Sequence, residues 1–395
     1  MKGVRGMSKK SVTVRYAVIQ AFHWMTFAAI FGYVSVFLLD SGFSNSEIGI
    51  LIAIAGIVSA VAQPAIASYA DSPGSISLKK LVLLLGVALI LAAAGLLLFP
   101  GSRMLTALSF GGCLALLPTI TPLMNAIGIS NVYEANFGIA RGIGAAAYGA
   151  GALILGVAVK QFGTAVVAAF TVLTFAGFCA AIVFYPFRKA QAQKDEKTAS
   201  VHPSAFMRRY PMFALVLVGY TLIYISHVFL NSFTYQIVCA KGGSSSEMGT
   251  AMAVASLMEL PVMFLFSLMT RRISCGKWFR LTGIFFFLKT LGTLLAPSMT
   301  VFYAVQVLQM FGWGLASVCS VYYINSIMDA EDAVKGQAYF TMTYTVGSVL
   351  GATAGGWLID GLSVPAMLLF GTVSAGIGAA IVFYAVSNKK ASVCA

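Results

Sequence analysis

Apolar runs of about 20 residues recur from one end of this chain to the other, and no other feature limits its fold as strongly. A bilayer core about 30 Å thick is crossed by a helix of roughly 20 apolar residues. Runs of that length cover approximately 14–39, 47–69, 79–99, 104–128, 137–160, 163–186, 211–238, 247–269, 279–296, 300–327, 337–360 and 364–386. The 395 residues are 59% hydrophobic and 9% charged, against about 25% charged in a soluble domain. So little charge cannot clothe a water-facing surface, so lipid must cover most of it. Twelve spans joined by short turns use up the chain and leave no room for a soluble catalytic domain. The expected fold is an all-α membrane protein of twelve transmembrane helices.

The distribution of Lys and Arg sets the expected orientation. With a cytoplasmic N-terminus, most of the 25 fall inside, and only Arg103, Lys160 and Lys241 fall outside. Both termini are then cytoplasmic and the expected location is the cell (inner) membrane. The net charge of +13 reads as this topology signal plus attraction to anionic lipid. A nucleic-acid partner would need a clustered basic patch on a folded domain, and the sequence has none. The six cysteines are scattered, without C-x-x-C or a Cys/His cluster, so neither a metal site nor a disulfide framework is expected. The first apolar run is too long for a signal peptide and lacks a small-residue cleavage site, so we read it as a retained helix.

The longest polar interruption, 188–210, is charged and rich in Ala, Ser and Gln, the composition of a linker. It divides the chain into an N-terminal bundle (1–187) and a C-terminal bundle (211–395). SGFSNSEIG at 41–49 recurs as KGGSSSEMG at 241–249, with Gly42/Gly242, Ser44/Ser244, Ser46/Ser246, Glu47/Glu247 and Gly49/Gly249 coinciding at an offset of 200. Each copy precedes the second helix of its half. A Ser cap with an acid in the first turn explains either copy alone, but not both at matching places. Asn125 and Asn325 share the offset. Two pseudo-symmetric six-helix bundles follow, with the binding site expected where the repeats meet.

Polar groups inside apolar spans are costly and mark function or pairing. Of the 12 acids only Glu259 falls mid-span. A carboxyl held away from water is poised to carry a proton; the structural alternative is an ion pair with Lys289 in the ninth span. Arg141, early in the fifth span, suits bidentate recognition of a carboxylate or of sugar hydroxyls, or else it snorkels to the headgroups. The glycines beside it (142, 144, 149, 151, 156) lie inside an apolar span and read as helix packing, not as a nucleotide loop; Gly347, Gly351 and Gly355 read the same way. Tyr220, Tyr224, His227 and Asn231 form one polar stripe on the seventh span. Tyr16, Gln20 and His23 do so on the first, and Gln306, Gln309 and Trp313 on the tenth. The stripes read as the lining of a polar cavity. The histidines also fit helix–helix hydrogen bonds, with His227 a further candidate for proton coupling.

These features together resemble the major facilitator superfamily, and within it the lactose-permease-like proton symporters with their phenylpropionate- and nucleoside-transporting relatives. QPAIASYAD at 63–71, followed by Lys79 and Lys80, resembles the loop between helices 2 and 3, which implies a cytoplasmic gate of Asp71, Lys79 and Lys80. TRRISCGK after span 8 is a more degraded copy. PLMNAIGISNVYEANFGIARGIGAAAY at 122–148 resembles helices 4 and 5, placing Arg141 on the sugar-binding arginine, Tyr148 on the aromatic that stacks on the sugar, and Asn125 where the group has a substrate-binding acid. MELPVMFLF and FFFLKTLG resemble helices 8 and 9, placing Glu259 on the acid that couples substrate to proton and Lys289 on an arginine that tunes it. VLQMFGWG at 307–314 resembles helix 10, with Gln309 and Gly312 where the group has a His and a proton-carrying Glu.

The resemblance implies a monomeric importer of a small polar solute (sugar, nucleoside or organic acid) that is coupled to protons and works by alternating access. On this expectation Arg141, Asn125, Tyr148, Gln20, His23, Tyr224, Asn231, Gln306, Gln309 and Trp313 contact the substrate, Glu259, Lys289 and His227 handle the proton, and no cofactor is needed. One rival is a proton-antiporting exporter of amphipathic compounds, against which the fifth span's lack of proline counts. Another is an uncoupled uniporter or solute sensor, which Gln309 and Gly312 keep in view. An enzyme is not expected, because paired acids, metal-ligand spacing and a nucleophile–base arrangement are missing.

Overall fold

The computed structural model describes residues 9–72, 74–129, 135–187 and 203–386. Most of the expected linker, 188–202, and the tail pair Lys389 and Lys390 lie outside them. Among the described residues every regular element is helical. Most of these helices are 20–32 residues long, which at 1.5 Å per residue matches a bilayer core. Among the described residues ten helices are long and apolar enough to span a membrane, eleven with a bent first pair counted as one. The remaining expected span forms within Ala330–Gly361, where glycine, threonine and tyrosine dilute the apolar character of a 32-residue helix.

The residues group into two units, one of 1–192 with 244–253, the other of 193–243 with 254–395. In the first unit α1 (Lys9–Phe27), α2 (Val34–Asp40), α3 (Asn45–Asp71), α4 (Leu78–Leu98), α5 (Arg103–Ile129), α6 (Phe137–Phe162) and α7 (Ala165–Phe184) follow one another. Helix α1 packs on α6 and α7, and α4 on α5 and α7. The short α8 (Pro203–Arg209) opens the second unit, followed by α9 (Pro211–Ser232), α10 (Thr234–Ala240), α11 (Ser245–Arg272), whose first turns to Ala253 group with the first unit, α12 (Cys275–Leu295), α13 (Met299–Gln306), α14 (Trp313–Ile327), α15 (Ala330–Gly361) and α16 (Val364–Ala385). Here α9 packs on α15 and α16, and α12 on α14 and α16.

The internal repeat is visible in the backbone. Gly42 and Gly242 both adopt left-handed φ, +83° and +78°, a turn that a side chain would resist. Ser44 and Glu47 then close a capping box on α3, with Glu47 N donating to Ser44 Oγ at 3.2 Å and Ser44 N to Glu47 Oε2 at 2.8 Å. On α11, Ser244 N likewise donates to Glu247 Oε2 at 2.8 Å. One basic residue of the third span in each half bonds to the end of the sixth. Lys79 Nζ donates to the carbonyls of Val183 (3.1 Å) and Tyr185 (2.8 Å) at the end of α7, and Arg280 Nη2 to that of Val386 (2.5 Å) at the end of α16. Cations bonded to terminal carbonyls cap a helix and meet its negative end.

Three expected spans are not continuous helices. The first passes through a π-helical turn, Ala28–Gly32, and bends by 47° before α2. The seventh breaks at Phe233, and Tyr33 of the first break is its counterpart at the 200-residue offset. The tenth passes through a 3-10 turn, Val307–Met310, and resumes only after Gly312. Irregular turns of this kind release backbone groups and redirect side chains, and they gather at functional sites. The glycine series act by packing, as their setting in apolar spans suggested. A Cβ on Gly151 would stand 3.3 Å from Met25 Cα in α1, and one on Gly351 would stand 2.9 Å from the carbonyl of Ile225 in α9.

Candidate functional site

In the first unit the polar stripe of α1 links three helices. Gln20 is fully buried. Its Nε2 donates to Tyr16 Oη at 2.8 Å and to Asn125 Oδ1 at 3.3 Å, while its Oε1 accepts from Trp24 Nε1 at 2.9 Å. Tyr16 Oη donates onward to the carbonyl of Met124 at 3.3 Å. Trp24 presents its ring to Arg141, whose guanidinium carbon lies 3.9 Å from the ring centroid, a cation–π contact that fixes the plane of the fork. Gly144 makes room for this, since a Cβ there would come within 2.6 Å of the indole. Asn125, Gln20, Trp24 and Arg141 are thus joined across α5, α1 and α6.

Trp24 was absent from the sequence expectations. It lies one turn after Gln20, but a tryptophan in an apolar span looks like any lipid or core residue until its partner is known. Tyr148 lies two turns along α6 from Arg141, near the π-helical turn, where its Oη is 3.8 Å from the Cβ position of Gly32. The aromatic face against the guanidinium is therefore Trp24. His23 is buried, its Nε2 is 3.1 Å from Thr121 Oγ1, and its Nδ1 has no hydrogen-bond partner.

The second unit holds the acid. Glu259, Lys289 and Gln309 are 9%, 3% and 6% exposed. Gln309 accepts from Lys289 Nζ at 2.6 Å and donates through Nε2 to Glu259 Oε1 at 2.9 Å. The expected partnership of Glu259 and Lys289 is thus joined through a carboxamide in the 3-10 turn between α13 and α14. Beside it, His227 stacks on Trp313 with centroids 4.7 Å apart and planes within 8°. Asn231 Nδ2 is 2.8 Å from His227 Nε2, and Tyr224 and Tyr344 meet Trp313 at 6.0 and 5.4 Å. Gln306 turns back to the carbonyl of Phe302, one turn earlier, at 3.3 Å, which takes its donor away from this group. Asn325, the repeat counterpart of Asn125, accepts from Gln337 Nε2 at 2.9 Å at an exposed position.

Of the expected gate, Lys79 is the cap of α7 described above, Lys80 is exposed, and the side chain of Asp71 lies outside the described set. No cluster of three or more His, Cys, Asp or Glu able to hold a metal occurs among the described residues.

Two units of membrane-length helices, each with buried polar side chains inside its apolar bundle, define a polytopic membrane protein. The chain belongs to the MFS_1 like family, whose model matches residues 14–370, and it is a transporter of the major facilitator type. No curated protein matches it. Among solved structures it is similar to the nucleoside transporter NupG, with 12% identity over 96% of this chain and 98% of that one, at a TM-score of 0.75. A bacterial homologue of the iron transporter ferroportin in an inward-facing state is similar at 15% identity, 97% and 100% coverage and TM-score 0.71. An auto-inhibited POT family peptide transporter is similar at 11% identity, 95% and 95% coverage and TM-score 0.72. At these identities the likeness is one of fold.

Proposed function

We propose that the protein imports a small polar solute (a sugar, nucleoside or organic acid) together with protons by alternating access, as the lactose-permease-like group does, in the cell (inner) membrane with both termini cytoplasmic. The observation that carries this reading is the buried acid of α11. Glu259 is the one acid in the middle of an apolar span, and it is held beside a lysine through Gln309. Buried ionisable groups of this kind mark proton relays in transporters. Neutralised by a proton, Glu259 lets the loaded carrier reorient; ionised, it does not.

Arg141, with its fork set by Trp24, supplies the charge and directional donors for a carboxylate or hydroxyls, and Asn125 and Gln20 line the same network. With Asn125 where the symporters have an acid, the substrate need not be a galactoside. The solute is found by a thermal-shift screen of sugars, nucleosides, peptides and organic acids, since a ligand that binds the folded state raises the melting temperature. In proteoliposomes, Glu259→Gln then loses accumulation driven by a pH gradient and retains solute exchange. Full accumulation by that variant would sink the reading.

A further inference from the structure

The carboxamide of Gln309 has one accepting and one donating edge, and charged groups occupy both. Its Oε1 meets the ammonium of Lys289 at 2.6 Å and its Nε2 the carboxylate of Glu259 at 2.9 Å. The backbone brings this about. Residue 309 lies in the 3-10 turn Val307–Met310, and α14 passes α11 at Gly314, where a Cβ would meet Glu259 Cα at 3.4 Å. Pro261 adds an irregularity to α11 two residues beyond the acid. Among the described residues of this unit, the titratable neighbour of the three is His227 from α9, which meets Phe286 of α12 at 5.2 Å and stacks on Trp313 of α14 at 4.7 Å. Tyr224 of α9 and Tyr344 of α15 stand one ring further out, and α14 contributes Trp313 and Gly314, which do not titrate.

A carboxylate in bare contact with an ammonium in a low-dielectric interior gives up its charge only at large cost. An amide joining the two satisfies a hydrogen bond of each while diluting their mutual attraction, which falls with separation. We propose that Gln309 is the positioning residue of the proton site: it joins Glu259 to Lys289 through its own amide, so the acid is satisfied when ionised and still takes up a proton without breaking a bare ion pair. This rests on Glu259 being the proton carrier, and it moves Gln309 from the substrate contacts to the coupling machinery.

The test uses the purified full chain in liposomes, with protons as the probe. An acid-minus-alkaline infrared difference spectrum of the wild type contains a carboxyl band that Glu259→Gln removes. In Gln309→Leu and in Gln309→Met, which keeps the length without the amide, the midpoint of that band moves by about tenfold or more in proton affinity. In a Lys289→Met background the same changes move it less than about threefold, because the bridge has lost one end and the two sites are coupled. An unchanged midpoint in both single variants, or an equal displacement with and without Lys289, overturns the role of Gln309. Absence of any Glu259-dependent band in the wild type overturns the proton-carrier reading itself, and this is seen before a Gln309 variant is made.

Discussion

Tyr33 Oη donates to the carbonyl of Ala152 at 2.7 Å, a buried bond from the point where the first span breaks to the middle of α6. The first turns of α11 lie on the same stretch of the first unit. Ser245 Oγ donates to the carbonyl of Gly156 at 3.1 Å, and a Cβ on Gly249 would collide with the carbonyl of Ala152 and stand 2.9 Å from Tyr33 Oη. Backbone does not yield as a flexible side chain does, so Gly249→Val disfavours this close approach by ~1–3 kcal/mol, the usual cost of overpacking. The expected outcome is faster labelling of Ser246→Cys by a membrane-impermeant maleimide in the Gly249→Val background than in the wild type. Equal rates would show that this close approach does not shield Ser246.

The Trp24–Arg141 contact separates geometry from charge. Arg141→Lys keeps the charge and loses the planar fork, so solute binding weakens by ~1–3 kcal/mol, the scale of a charged hydrogen bond. Trp24→Phe keeps a ring against the guanidinium and loses the donor to Gln20, and Trp24→Ala loses both. The affinities should fall in the order wild type, Trp24→Phe, Trp24→Ala, as read by thermal shift with the solute found in the screen. If Trp24→Ala binds as the wild type does, the contact only packs α1 on α6.

The helices were largely legible because lipid imposes a single requirement, about 20 apolar residues, that polar interruptions punctuate sharply. The ends of α4, α6 and α16 lie within two residues of the runs at 79–99, 137–160 and 364–386. The breaks at 28–33, 233 and 307–312 were not legible. Glycine flanks two of them, but glycine occurs throughout these spans as a packing residue and does not announce a change of backbone geometry. The candidate site residues stand out as stripes, because polarity in lipid is conspicuous, but their partners do not. A periodic pattern places Gln20 and Gln309 on a face without showing that one reaches Asn125 and Trp24 and the other both Glu259 and Lys289. Gln306 has the same chemistry, and its amide donates back to its own helix.

Asp332, 4% exposed at the start of α15, gathers Arg209 Nη1 at 3.0 Å, Tyr210 Oη at 3.1 Å and Lys335 Nζ at 3.8 Å. It ties the segment that leads into α9 to the segment that leads into α15. Asp332→Asn keeps the volume but weakens bonds from two cations, and should lower stability by ~1.5–3 kcal/mol. Asp329, whose carboxylate is exposed, also meets Arg209, at 2.5 Å, yet Asp329→Asn should cost under ~1 kcal/mol because water screens the pair. Melting temperatures of the two variants in detergent, compared side by side, test the contrast; equal losses would count against burial as its source.

The parallel stack of His227 on Trp313 is also open to dissection, since each ring does a separate job. His227→Phe preserves the stack and gives up the bond to Asn231, so it should cost under ~1.5 kcal/mol, the net worth of one hydrogen bond. His227→Ala removes the stack, worth ~0.5–1.5 kcal/mol beyond buried area, and opens a void, so its melting temperature falls below that of His227→Phe. Transport discriminates further. If His227 carried the proton, His227→Phe would lose accumulation driven by a pH gradient just as Glu259→Gln does. With Glu259 as the carrier, His227→Phe retains accumulation, and the side chain is left with a structural role. It then holds Trp313 at the head of α14, one turn beyond the 3-10 turn that presents Gln309.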